Sequence, residues 1–150
     1  MKIRCGFVSN SSSSSFVVSD ARKGFEKDPW CLRKENLVVD ENFGTTEFGW
    51  GPEVISDLES RIIFAYLQTL EVEKPEWFEM LEKVIKDNSN VKTIEWKVTT
   101  KCEDGINWGY IDHQSSAREG ENTDIFDSEN ALKEFIFGTN SKIVLDNDNH

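Results

Sequence analysis

Residues 51–85 read GPEVISDLESRIIFAYLQTLEVEKPEWFEMLEKVI, and they decide the fold class because helical spacing appears in them twice. Ile55, Leu58, Ile62 and Tyr66 recur at three- and four-residue intervals, and Val54, Phe64, Leu67 and Leu70 widen the stripe. Gly51-Pro52-Glu53 stands just before it. Proline suits a first helical position, where its missing N–H has no partner to lose, and an acid beside it complements the helix dipole. The first helix is therefore expected to open at Pro52. The same reasoning places a second start at Lys74-Pro75-Glu76, ahead of Trp77, Met80, Leu81, Val84 and Ile85, with a stop near Asn88-Ser89-Asn90.

Strand signals flank this helical pair. Phe16-Val17-Val18 and Leu37-Val38-Val39-Asp40 are short runs rich in β-branched residues, the second read as a buried strand. Residues 20–35 carry Gly24 and Pro29 and read as loop or short helical turns, and residues 41–51 read as loop. Further on, Ile94, Trp96 and Val98 alternate with Glu95, Lys97 and Thr99, and Ile106, Trp108 and Tyr110 form a matching face. A three-residue loop, Glu103-Asp104-Gly105, pairs 98 with 110 and gathers the aromatics on one side; a two-residue turn would put them on opposite sides. Asp127 or Ser128 can cap a helix, ENALKEFIF, that Gly138 ends, and Ile143-Val144-Leu145 is a short strand or packed tail. The sum is α+β: a single domain with a mainly antiparallel sheet and two to three helices packed on one face. Its organisation reads as a basic, Ser-rich arm over 1–19, part of the domain or flexible, followed by an acidic α+β domain over 20–150.

At 150 residues the chain is long enough to bury a core, and five Trp and ten Phe supply anchors for it. No stretch approaches the roughly 20 apolar residues of a membrane span. The opening MKIRCGFV runs into serines instead of an apolar segment, unlike a secretory signal. Three widely spaced cysteines, Cys5, Cys31 and Cys102, argue against a disulfide framework and fit a reducing cytoplasm.

Charge is the strongest functional signal. Lys2, Arg4, Arg22, Lys23, Lys27, Arg33 and Lys34 against Asp20, Glu26 and Asp28 give the first 34 residues +4; the chain total of −11 less that +4 leaves −15 on residues 35–150. Such a body repels nucleic-acid phosphates, whose binding requires Lys and Arg, and favours basic protein surfaces. The basic arm, with Phe7, Phe16 and Phe25 interleaved, is a weak nucleic-acid footprint beside it. Solubility alone also explains an acidic surface.

Chemistry-bearing patterns are sparse. No Walker A or GxGxxG phosphate loop occurs. The histidines are His113 and His150, and no cysteine or serine stands near either in a nucleophile pattern. Asp112-His113 at a strand end is the most chemical-looking pair, a candidate metal or acid–base site. Strand neighbours point to opposite faces, however, and no dense ligand spacing accompanies them. Asp146-Asn147-Asp148-Asn149 has half the composition of a calcium loop but lacks its glycine and closing glutamate. No cofactor is expected.

The stretch Cys5-Gly6-Phe7-Val8-Ser9-Asn10, Ser11, Ser12, Ser13, Ser14, Ser15 and Phe16 resembles the opening of a loose group of small proteins from tailed bacteriophages and related mobile elements. A fainter likeness runs from Gly109 through Gly138 to Asn149. The resemblance implies a phage accessory protein in the host cytoplasm and assigns no catalytic residue. Physically, five serines make a flexible spacer between docked Phe7-Val8 and Phe16-Val17; hydroxyl modification or anion binding are the other readings. The expected function is non-enzymatic: an acidic surface that includes Glu119, Glu121, Asp124 and Asp127 binds a basic host protein, one form being a nucleic-acid mimic that inhibits a defence nuclease. A small metal-dependent hydrolase using Asp112 and His113, and a virion or assembly component, are the alternatives.

Overall fold

The computed structural model describes residues 13–48, 53–99, 109–111 and 122–147. In chain order these form β1 (Ser13–Val18), a 3-10 turn (Trp30–Leu32), β2 (Asn36–Val39), β3 (Glu47–Phe48), β4 (Glu53–Ile55), α1 (Leu58–Val72), α2 (Pro75–Asp87), β5 (Thr93–Trp96), β6 (Tyr110–Ile111), a second 3-10 turn (Thr123–Phe126), α3 (Glu129–Phe137) and β7 (Lys142–Asn147). The domain is α+β, as the sequence predicts.

The largest sheet is antiparallel, in the order β1-β7-β4. Register pairs Phe16 with Val144 and Val144 with Val54, and on the next row Val17 with Ile143 and Ile143 with Ile55. Side-chain alternation then sorts the two faces. Ile143, Ile55 and Leu145 are buried and join the same apolar cluster as the helices, whereas Phe16 and Val54 are 48% and 58% exposed. The run Ile143-Val144-Leu145 is thus the central strand of the sheet and not a tail. Ser13, Ser14 and Ser15 pair along β7 in β1, which corrects the loop reading for those three serines: backbone pairing to Asn147, Asp146 and Leu145 overrides their weak strand preference. Ser11 and Ser12 lie outside the described residues, as do Phe7 and Val8.

The expected single sheet is instead three pieces. Beside the antiparallel one, β2 pairs with β5 and β3 with β6, both parallel. Parallel partners need a long crossover, and the α1–α2 pair supplies it between β2 and β5. In β2, Leu37 and Val39 are buried and Val38 is exposed, so the strand is one-sided. The proposed 103–105 loop lies outside the described residues, but the Gly109 N–H donates to the Thr99 carbonyl, a pairing that fits the three-residue register.

Helix α2 begins with Pro75 at its first position, as expected, and α3 is capped by Ser128, whose hydroxyl accepts from the Ala131 N–H at 3.0 Å. Helix α1 departs from expectation. Residues 53–55 are strand β4, and the helix opens at Leu58 after Asp57. β-Branched Val54 and Ile55 are taken by β7, and a better start lies downstream: the Asp57 carboxylate accepts both the Ser60 N–H (3.0 Å) and the Ser60 hydroxyl (2.7 Å). Ser60 in turn accepts the Thr45 N–H at 2.9 Å, tying the preceding loop to the helix start.

The helices pack together around Phe64, which meets Phe48 and Phe135 edge-on at centroid separations of 5.1 and 6.1 Å. At one end of this core, Arg61 of α1 is only 1% exposed. Its Nη1 donates to the carbonyls of Phe135, Ile136 and Gly138 at 3.0, 2.8 and 2.9 Å, and Nη2 pairs with Glu26. The Glu26 N–H takes the Phe137 carbonyl, and the Glu134 carbonyl receives the Gly138 N–H and the Ser141 hydroxyl. The last carbonyls of α3, which a helix cannot pair internally, are therefore all satisfied, those of Phe135 and Ile136 by a cation at the negative end of the dipole. Among the described residues no helix is long and apolar enough to cross a membrane.

Candidate functional site

The residues singled out by sequence fall in separate places. Phe16 sits on the open face of the β1-β7-β4 sheet, half exposed, while Val17 packs against the core. Asp112, His113, Glu119 and Glu121 lie outside the described residues. Asp124 and Asp127 are exposed, within and just after the 3-10 turn that leads into α3. That turn is held to α2 by Trp77 stacked on Phe126, 4.3 Å between centroids and 6° between planes. Lys83 strengthens the same junction, bridging Asp87 at 2.7 Å and Glu129 at 3.0 Å. Asp124 and Asp127 thus lie on a turn packed against the start of α2, where Glu76 and Glu79 are exposed, as is Glu73 at the end of α1. Packing of two aromatic rings brings the turn that carries Asp124 to α2, a contact that spacing along the chain does not reveal.

The described ion pairs made by the basic segment's own cations are local. Arg22 forks onto Asp20 at 3.0 and 2.8 Å, and Arg33 meets Asp28 at 3.2 Å. Through that fork and the Arg22 N–H, the Asp20 carboxyl is held down at about 2, below the usual carboxylate range.

A second acidic region surrounds the 3-10 turn Trp30–Leu32. An open cleft of about 430 Å³ separates this turn from the N-terminus of α1, and its ionisable lining is Glu26, Asp57, Glu59 and the Cys31 thiol. Burial, and then the charge of Glu59, push that thiol up to about 12, so Cys31 is protonated at neutral pH and a poor nucleophile. Sequence reading passed over Trp30 because a lone tryptophan in a mixed loop has no periodicity to mark it. Among the described residues no three His, Cys, Asp or Glu side chains gather closely enough to hold a metal ion.

No family model, curated protein or solved structure matches this chain.

Proposed function

We propose that the protein is a non-enzymatic accessory protein of the phage type, acting in the host cytoplasm, whose acidic surface docks on a basic surface of a host protein. The observation that carries the reading is the charge division, −15 on residues 35–150 against +4 before them. The exposure of Asp124, Asp127, Glu73, Glu76 and Glu79 supports it, because carboxylates open to solvent make the surface potential more negative. A surface of this kind speeds encounter with cationic partners and disfavours anionic ones. Where the partner is a nuclease, the carboxylates stand in for backbone phosphates and occupy its substrate groove.

The test is capture on the tagged chain from expressing bacterial cells, with identification of what co-elutes. The partner is expected to be basic, to be released as salt rises from about 0.1 M to 1 M, where the screening length falls to roughly 3 Å, and to be displaced by double-stranded DNA. Retention that is indifferent to salt and to DNA removes the reading.

A further inference from the structure

Trp30 is 77% exposed, the most open of the large apolar side chains among the described residues. Indole left in water forgoes a substantial burial gain, and tryptophan is the residue most enriched at binding hot spots. Its backbone is not a loose loop. Asp28 adopts φ 51°, a left-handed conformation rare for a side chain before proline, and Pro29 then sets the turn. The Leu32 N–H closes it onto the Pro29 carbonyl at 3.0 Å, and buried Leu32 anchors it in the core. The indole is thus displayed on a fixed support. The neighbouring cleft presents carboxylates and no cationic side chain. Glu26 is tied to Arg61 and Asp57 to Ser60, whereas Glu59 accepts only from the Cys31 thiol, a weak donor, among these cleft contacts, so it is the carboxylate best placed to meet a newcomer.

We propose that this cleft receives an arginine side chain of a protein partner, its guanidinium stacked on the Trp30 indole and its N–H groups directed at Glu59. An exposed ring beside carboxylates is the arrangement a planar, weakly hydrated cation fits: one face stacks while its edge donates paired hydrogen bonds. Lysine satisfies the charge but not the plane. The broad opening suits a side chain carried in on a partner's surface, since sites for free small molecules enclose most of their ligand. This inference rests on the basic-partner reading above and specifies one point of contact for it.

The experiment uses capped tetra-arginine, tetra-lysine and tetra-glutamate peptides, with affinity from calorimetry and the Trp30 indole N–H followed by NMR. Tetra-arginine is expected to move the Trp30 resonance and to bind more tightly than tetra-lysine. Trp30→Ala and Glu59→Gln are each expected to weaken it about fivefold or more, while the distant pair Asp124→Asn with Asp127→Asn changes it less than about twofold. Trp30 is exposed, so its alanine variant is expected to melt with the wild type; Glu59→Gln tests the same cleft if it does not. An unmoved indole, or equal affinity in wild type and both cleft variants, overturns the proposal while salt-sensitive capture of a basic host protein still stands. Salt-indifferent capture overturns the broader reading instead.

Discussion

Helices α1 and α2 both follow a proline–glutamate pair, Pro52-Glu53 and Pro75-Glu76, yet only the second pair starts a helix. The start of α2 is simple: exposed Pro75 leads, Lys74 makes no side-chain cap bond, and the Lys74 ammonium lies 4.7 Å from the Trp77 ring. The first turn of α1 is wired into the molecule. Asp57 caps it, Ser60 holds Thr45, Gly44 packs against its backbone, and Arg61 reaches the end of α3. Proline permits a helix to begin; it does not compel one when a side-chain cap lies downstream and a strand partner competes for the intervening residues.

The contrast is most directly broken at Arg61. Arg61→Met leaves three carbonyls and Glu26 without their cation, and we expect a loss of about 3–5 kcal/mol in denaturant unfolding. Gly44→Ala comes next. An added Cβ would stand 2.9 Å from the Ser60 nitrogen and 3.0 Å from the Glu59 carbonyl carbon, so a cost of about 1–3 kcal/mol is expected from the forced shift. Asp57→Ala removes the cap and is expected to cost about 1–2 kcal/mol. At α2 the counterpart, Pro75→Ala, is expected to change stability by less than about 1 kcal/mol, because it alters only backbone freedom at an exposed start. Equal effects of Asp57→Ala and Pro75→Ala would erase the distinction between the two turns.

The smallest effect is electrostatic. With Cys5 and Cys102 changed to serine, Glu59→Gln removes one cause of the raised Cys31 pKa while the larger one, burial, remains. The thiolate fraction at pH 8 rises, and alkylation of Cys31 is expected to quicken by less than about tenfold. An unchanged rate would detach Glu59 from the thiol.

Which elements were legible follows from the same distinction. α2 and α3 carry their own signals, Pro75 and Ser128 at their starts and 3–4 spacing behind them, so local physics fixed them. β4 and the parallel pairs depend on partners 57 to 92 residues away, and no periodicity in Val54-Ile55 or Glu47-Phe48 declares which strand they will meet. Arg61 was invisible for a related reason: a cation inside an apolar stripe reads as a break in it until the carbonyl ends of α3 are in place beside it. The acidic character of the surface was evident from composition, whereas the stack of Trp77 on Phe126 and the cleft beside Trp30 exist only once distant segments have packed.

The position of β7 has a consequence for biosynthesis. Residues 142–147 separate two strands that both lie before residue 56 of the sequence. On the ribosome β1 and β4 emerge long before the segment that joins them, so this sheet assembles only after residues 142–147 have been made. A product that stops short of Lys142 would expose two unmatched strand edges, a species suited to chaperone capture or proteolysis and not to a native fold.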